Sequence, residues 1–435
     1  MKNKKLQKTL IIISIFLSLI IGLGIWMLVD DNHPFHDYLG TSPITQNNND
    51  ENDDKINEPT NDDVINNENN NEVEEEEPEP EPEPDEIKTL SIAAAGDIMF
   101  HKSQVNDRYY NQDTDTYDFS PFFLDVAPYF KEADLSIANF ETTTAGPSME
   151  YTGYPAFNSP DETIGNIQDA GLDVLITANN HSLDTGSDGL KRTAEMMKEF
   201  KMDHVGTYDK PPSGSRFLLK EVNDLKVAIL AYTESTNGLG DQFDKKTLDG
   251  MINMMDKDQI VKDIEGAKDA DADLIIAYMH WGIEYADEPN ETQVEFAEML
   301  AEEGVHIIFG SHPHVIQKSD FIKSEKFDTF VIYSLGNFIS NQRRETLGED
   351  RHQTEDGVIV QLEVEKNVTQ DELVIKSVEY VPTWVSRTGS DGNYEYRIVP
   401  IDDFIDSAEY EDVQGRLQNS YDSTTSILEA TVPVN

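Results

Sequence analysis

Beyond residue 89, short apolar runs alternate with amphipathic stretches along the chain. Short apolar runs bounded by polar residues are typical of strands buried on both faces, and the intervening stretches carry apolar residues at helical spacing. The predicted strands are 90–95, 135–138, 174–178, 227–232, 274–279, 306–309 and 330–333. The predicted helices are 164–170, 190–200, 260–267 and 294–301. This alternation predicts an α/β or mixed α+β layered fold.

Strands follow one another without intervening helices after Gly357. The runs 358–364, 373–381 and 394–399 predict either a second sheet or an antiparallel edge of the first. Residues 401–435 are largely polar and predict a C-terminal helix or a frayed tail. The globular domain is therefore expected to span residues 89–400.

The chain begins with four lysines followed by an uncharged apolar run over residues 10–29. A helix of about 20 apolar residues spans a bilayer core, and basic residues stay on the cytoplasmic side. This order predicts a cytoplasmic tail (1–9), a single-pass anchor in the cell membrane (10–29) and an extracellular domain, as in Gram-positive bacteria. A cleaved signal peptide is the alternative, but its apolar region is about 7–15 residues long and ends in small residues. Here the run is longer and ends in large apolar residues at 25–29, with Trp26 near the outer interface, which favours an uncleaved anchor.

Residues 30–88 are rich in Asn, Asp and Glu, and Glu alternates with Pro over 77–84. Such a composition cannot bury enough apolar surface to offset the entropy of ordering, so we predict an extended, disordered acidic linker.

Composition restricts the chemistry of any site. The chain has no cysteine, which excludes disulfides, thiolate metal sites and a cysteine nucleophile. A metal site must use His, Asp, Glu or Asn, which suits Mn, Fe or Zn. The net charge of −52 argues against nucleic acid as a partner, because binding it requires basic residues that neutralise phosphates.

Five of the predicted strands are followed by polar residues that can bind a metal, at the strand ends where α/β sheets form ligand sites. These residues are Asp97, Asn139, Glu141, Asn180, His181, His280, His312 and His314. Singly, each could be an ordinary turn, cap or structural residue. His312 and His314 stand two apart around a stiffening proline, and on an extended segment both would point the same way. Together the set supplies ligands for two cations about 3.5–4 Å apart, the spacing of bimetallic hydrolases.

The motifs that carry these residues resemble the calcineurin-like metallophosphoesterases in their order. They are Gly96-Asp97, Asn139-Phe140-Glu141, Asn180-His181, His280-Trp281-Gly282 and Gly310-Ser311-His312-Pro313-His314. The exact residues of these motifs are similar to those of the CapA family of capsule and poly-γ-glutamate synthesis. Segments 178–184, 283–285 and 334–338 are also similar to that family. The similarity runs from about Ser91 to Thr383.

The resemblance implies an αββα sandwich of two mixed sheets flanked by helices, with two divalent metal ions. It implies that the metal ligands are Asp97, Glu141, Asn180, His280, His312 and His314. Glu141 would bridge the ions, with Asn139 replacing or supporting it, and His181 would be the general acid. Met99 stands where phosphoesterases often have the His of Asp-x-His. His101 is a possible replacement ligand.

The expected function is metal-dependent hydrolysis in capsule or poly-γ-glutamate synthesis or export, beside membrane proteins of that complex. The substrate would be an anionic polymer or a phosphoester. Candidates to orient it are Glu284, Tyr285 and Asn337, with Arg343 and Arg344 as a cationic patch. The alternatives are a non-catalytic accessory of the same complex and an ectophosphoesterase or nucleotidase. Three histidines without a motif are expected to be structural: His204, His306 and His352.

Overall fold

A computed structural model describes residues 85–324 and 327–428. Its strands are β1 (Ile87–Ile98), β2 (Tyr110–Asn111), β3 (Thr116–Tyr117), β4 (Leu135–Phe140), β5 (Val174–Ile176), β6 (Asp203–Val205), β7 (Leu218–Val222), β8 (Leu225–Thr233), β9 (Leu274–His280), β10 (Ile307–Ser311), β11 (Ile316–Lys323), β12 (Asp328–Leu335), β13 (Asn337–Ile339), β14 (Asp356–Asn367), β15 (Glu372–Ser390) and β16 (Asn393–Pro400). Its α-helices are α1 (Ala127–Lys131), α2 (Glu162–Asp169), α3 (Gly186–Phe200), α4 (Lys245–Asp249), α5 (Lys257–Asp269), α6 (Glu291–Glu302), α7 (Arg344–Leu347), α8 (Ile401–Phe404) and α9 (Gln414–Ile427).

Two mixed sheets contain all the strands except the small β2–β3 hairpin. The first has the order β16-β15-β14-β1-β4-β5-β6, with β13 beside the end of β1. Strands β1, β4, β5 and β6 are parallel, whereas β14, β15 and β16 add an antiparallel edge. The second has the order β11-β12-β10-β9-β8-β7, parallel in the middle and antiparallel at both edges. The strands after Gly357 are therefore an edge of the first sheet, one of the two predicted alternatives.

The sheets face each other across an apolar core, because alternate strand residues point to opposite faces. Ile92 of β1 and Ile276 of β9 belong to the shared inner cluster. The outer face of the first sheet packs against α2 and α3, and that of the second against α5 and α6. The result is the predicted mixed α/β layered fold, with two sheets inside and helices outside.

Helix starts were predicted several residues late because the first apolar residue was taken as the beginning. Helix α6 begins at Glu291, where the Asn290 side chain accepts a hydrogen bond from Gln293 N at 2.9 Å and Gln293 Oε1 accepts one from Asn290 N at 3.0 Å. This reciprocal cap satisfies two backbone donors ahead of the apolar stripe. Asp256 caps the start of α5 through one such bond, since its Oδ1 accepts from Gln259 N at 3.2 Å.

The structure describes the C-terminal segment of the chain but not the N-terminal one. The predicted C-terminal helix exists as α9, whose Leu417 packs with Trp384 and Val399 of the first sheet. Residues 1–84, with the predicted tail, anchor and most of the linker, lie outside the described residues. Among the residues that the structure describes, every helix is too short or too polar to cross a bilayer.

Candidate metal centre

The metal-binding candidates meet where the carboxyl ends of the central strands of both sheets come together. Asp97 near the end of β1 lies beside Asn139 of β4 in the first sheet. In the second sheet, His280 at the end of β9 lies beside Ser311 of β10. Because the two sheets face each other, residues far apart in the chain converge on one buried volume.

A close backbone approach positions Asp97. Its backbone N–H donates to the carbonyl oxygen of Gly336 at 3.0 Å. A Cβ on Gly96 would lie 1.9 Å from that same oxygen, so only glycine allows β1 to approach the chain this closely. The Gly96-Asp97 pair is thus a requirement of packing as well as of chemistry.

Glu141 lies at the centre of the cluster and is fully buried. Its Oε1 atom lies 3.7 Å from His280 Nε2 and 3.9 Å from the Nε2 atoms of both His181 and His314. That oxygen has no hydrogen-bond partner. Burial and the neighbouring Asp97 raise the pKa of Glu141 well above its usual value. A buried oxygen surrounded by imidazoles but bonded to none is suited to a cation.

Asp97 is held on both sides by hydrogen bonds. Its Oδ1 accepts from Asn139 Nδ2 at 2.8 Å, and its Oδ2 lies 3.1 Å from His314 Nδ1. Burial opposes ionisation of Asp97, but His314 and Asn139 outweigh it and hold its pKa below the usual value. Asn139 also lies 3.3 Å from Glu141 Oε2, so it supports both carboxylates rather than replacing either.

The imidazoles of His280 and His312 are held in the neutral form that binds metals. His280 lies between Ser311 Oγ (2.9 Å from Nδ1) and Asn180 Oδ1 (3.0 Å from Nε2). Burial and the surrounding histidines lower its pKa well below the usual value. Burial lowers the pKa of His312 to about 4, and its buried Nδ1 atom has no hydrogen-bond partner.

These residues fit two divalent cations. Three groups bring their ligand atoms within 4.8 Å of one another. They are Asp97–Glu141–His314, Glu141–His280–His312 and Glu284–His312–His314. Glu141 is shared by the first two, as a bridging carboxylate would be. Glu141 Oε1 and His312 Nδ1, both buried without a hydrogen-bond partner, belong to these groups. Oxygen and imidazole donors of this kind suit Mn, Fe or Zn.

His181 is part of a dyad that sequence analysis missed. Its Nδ1 atom lies 2.7 Å from Asp184 Oδ2, which also accepts a hydrogen bond from Phe157 N at 2.7 Å. The ring edge packs against Phe157, with centroids 4.7 Å apart. Asp184 therefore fixes the imidazole and leaves Nε2 facing Glu141. The signal was available, since a carboxylate three residues after a histidine in a turn can reach back to it.

The His312–His314 segment corrects a prediction. It is not extended: φ is 96° at His312 and 58° at His314, both left-handed. The chain turns directly after β10 ends at Ser311, which brings His312 N within 3.4 Å of Asp97 Oδ2. Non-glycine residues in this region are strained and cluster at functional sites. The rings still converge, with centroids 6.0 Å apart, but through the turn rather than through strand alternation.

His101 lies beside the centre without joining any of the three groups. Its Nε2 atom is 3.1 Å from Ser340 Oγ, and its ring packs edge-on against Phe157 at 5.1 Å. Burial and the charges of His314 and His181 lower its pKa to about 3. His101 is therefore hydrogen-bonded at the side of the metal centre. Its role as a metal ligand stays a prediction.

The candidates for orienting a substrate occupy different depths. Glu284 is exposed at the mouth, and the Tyr285 ring centroid lies 6.1 Å from that of His314. Asn337 is fully buried, and its Nδ2 donates to His314 O, Gln342 Oε1 and Thr354 O at 2.9–3.3 Å. The Asn337 side-chain nitrogen therefore ties three loops together, whereas its buried Oδ1 atom has no hydrogen-bond partner among the described residues. Contact of Asn337 with a substrate stays a prediction.

Arg343 and Arg344 do not present an open cationic patch. The Arg343 side chain is 3% exposed, with Nε 2.7 Å from Glu345. Arg344 pairs with the buried Glu355 at 2.8 Å. Both guanidinium groups are already neutralised by carboxylates of their own loop, so they offer little charge to an anionic substrate.

Comparison with known proteins identifies relatives. The sequence profile described as "Bacterial capsule synthesis protein PGA_cap" matches residues 91–342. The "Capsule biosynthesis protein CapA" of Bacillus anthracis is 32% identical over 293 residues, which span 65% of this chain and 66% of that protein. The "PGA biosynthesis protein CapA" of Bacillus subtilis (strain 168) is 30% identical over 287 residues, spanning 64% and 69%.

Solved structures are less similar. A phosphatase from Mycoplasma pneumoniae has a TM-score of 0.41 and 18% identity, covering 68% of this chain and 94% of that one. The NAD nucleotidase of Haemophilus influenzae has a TM-score of 0.43 and 13% identity, covering 80% and 65%. Both TM-scores are below 0.5.

Proposed function

Because this chain belongs to the PGA_cap family of bacterial capsule synthesis proteins, we propose that it acts in making or exporting a capsule polymer such as poly-γ-glutamate. We propose further that its buried centre is a two-metal hydrolase site. One observation carries this second step: Glu141 Oε1 lies without a hydrogen-bond partner among three imidazoles, beside the His181–Asp184 dyad.

In this proposal one set of residues binds the cations and a second set, His181 with Asp184, supplies a proton. Two cations, when bound, lower the pKa of a water and neutralise charge on the ester or amide oxygen. The residues that would hold them are Asp97, Glu141, Asn180, His280, His312 and His314. Asp184 accepts a hydrogen bond from the Nδ1–H of His181 and stabilises a positive charge on the ring, so Nε2 is the atom that would carry the proton given to the leaving group. Burial of Asp97, Glu141, His280 and His314 keeps bulk water from these ligands and strengthens each of these interactions.

The hydrolase proposal is tested on the full-length protein in detergent with bis(p-nitrophenyl) phosphate, a generic phosphodiester. We expect turnover that is lost after chelation and restored by Mn²⁺, Fe²⁺ or Zn²⁺, because the donor set provides ligands for these ions. Glu141→Gln should abolish it, while Glu288→Gln, an exposed carboxylate in the loop after β9, should not. Equal turnover in both variants, or turnover that survives chelation, would assign the activity to a contaminant.

Residues 10–29 are proposed to anchor the protein in the cell membrane, with the domain outside and membrane proteins of the export complex as partners. The order of lysines, apolar run and acidic segment supports this orientation. We expect the protein to fractionate with membranes, and protease added outside intact cells to release the domain by cutting within residues 30–88. A mature protein that starts near residue 30 and is recovered from the medium would instead indicate a cleaved signal peptide.

A further inference from the structure

An anionic substrate at this centre faces an electrostatic obstacle. The chain carries a net charge of −52, and the centre itself contains Asp97, Glu141 and Glu284. Like charges repel a ligand unless a local cation offsets them. Most arginines of the described residues cannot offset this repulsion, because their guanidinium groups already pair with carboxylates. The paired arginines are Arg108, Arg192, Arg343, Arg344, Arg397 and Arg416.

Arg351 differs from these six. Within residues 85–324 and 327–428 it has no carboxylate within 4.0 Å, and it is partly exposed. Its guanidinium lies over the Tyr285 ring, 5.0 Å from the centroid. The Tyr285 ring lies in turn 6.1 Å from that of His314. Arg351 therefore stands one aromatic ring away from a predicted metal ligand, at the outer side of the centre.

Most of the hydrogen-bonding capacity of Arg351 is unused. A guanidinium has five N–H donors in a planar fork that matches a carboxylate or phosphate. The one hydrogen bond that its side chain makes in the described residues is from Nη1 to Tyr285 O, at 3.5 Å. Stacking on the ring holds the plane of the fork while leaving its edge for a ligand.

The position of Arg351 is built into the same framework as the centre. Its backbone oxygen accepts from Thr354 Oγ1 at 2.8 Å, and Thr354 O accepts from Asn337 Nδ2 at 2.9 Å. Asn337 also donates to His314 O. On the other side, Tyr285 N donates to Pro313 O at 2.8 Å. Both Arg351 and the ring beneath it are thus tied to the loop that carries His312 and His314.

The geometry points to Arg351 as the residue that recognises the substrate's charge. It receives an anionic oxygen group, a carboxylate or phosphate, while a second group of the same substrate lies at the metal centre. The site therefore selects substrates with at least two polar groups, spaced to reach from the Arg351 guanidinium, 5.0 Å from the Tyr285 ring centroid, past that ring to the centre, where the His314 ring lies 6.1 Å from the same centroid. This inference rests on the proposed function, because it assumes that the substrate reaches the centre.

The test measures binding rather than turnover, with two probes and the metal-loaded full-length protein. One probe is a γ-linked glutamate pentamer, and the other is the same pentamer with its α-carboxylates amidated. Because the variant loses a charged hydrogen bond to the ligand, Arg351→Gln should weaken pentamer binding about 10- to 100-fold. The amidated pentamer should bind weakly to both proteins and show no such dependence. Arg351→Lys keeps the charge without the fork and should fall between them.

Arg216→Gln is the matched control, since Arg216 is also without a carboxylate partner among the described residues but has no contact with Tyr285. It should bind the pentamer as the unchanged protein does. Unchanged metal content and melting temperature in Arg351→Gln exclude misfolding. Measurable pentamer binding that is equally strong in Arg351→Gln and Arg216→Gln would overturn the inference.

A third probe, inorganic pyrophosphate, separates the two sources of an anionic oxygen. Arg351-dependent binding of pyrophosphate with no binding of the pentamer would support the role of Arg351 and reject the polymer as the substrate. The proposed hydrolase activity fails separately, through the metal-dependent turnover described above, so the two proposals cannot fail by the same observation.

Discussion

His312→Ala should lose most of the tightly bound metal, whereas His204→Ala should keep it. His312 belongs to two of the three groups whose ligand atoms converge, and its unpaired Nδ1 is buried. His204 lies on β6, outside these groups, yet it is also a partly buried imidazole whose pKa burial lowers to about 4. The two variants therefore compare the loss of an imidazole inside the centre with the loss of one outside it. Metal content after dialysis, measured by mass spectrometry, gives the answer.

Loss of the metal should also lower stability. A ligand present at about 100 times its dissociation constant stabilises the native state by about 2.7 kcal/mol. Without cations, Asp97 and Glu141 would also remain buried beside each other with less compensation. The melting temperature of His312→Ala should therefore fall, and added metal should raise it less than in the unchanged protein. If His312→Ala and His204→Ala hold equal metal, the strand-end residues do not form a metal centre.

His181→Ala should keep its metal and its fold but lose about 10²- to 10⁴-fold in turnover, the usual range for general acid–base catalysis. The reason is its position: Asp184 Oδ2 lies 2.7 Å from Nδ1 and orients the ring independently of any cation. His181 also belongs to none of the three candidate groups. Turnover of the phosphodiester and metal content should be measured on the same preparation.

Asp184→Asn provides the companion variant. An amide can hold the ring but no longer supports a positive charge on it, so turnover should fall by less than in His181→Ala. The same variants distinguish a hydrolase from a non-catalytic accessory of capsule synthesis. If catalysis is required, His181→Ala should reduce capsule output in the native cell, and His312→Ala should reduce it too. Normal output from His181→Ala with metal retained, alongside lost output from His312→Ala, would favour the accessory role.

The location of the centre could be predicted from sequence because strand periodicity is local. An apolar run that ends in Asp97 or His280 shows where a strand stops, and strand ends of a layered α/β fold meet at one edge. The motifs around these residues also identified the family, which the match over residues 91–342 confirms. The antiparallel edge after Gly357 was anticipated only as one of two alternatives, because pairing partners are not encoded in periodicity.

Tertiary structure decided how each side chain is used, since pairing depends on neighbours that are distant in the chain. Arg344 is neutralised by Glu355, whereas Arg351, seven residues after Arg344, stacks on Tyr285 from another loop. The left-handed turn at His312 likewise follows from the approach of β10 to β1, not from the spacing of the two histidines. Residue type and strand ends thus determined which groups reach the centre. Burial and the packing of the two sheets decided which of them remain free to bind a cation or an anion.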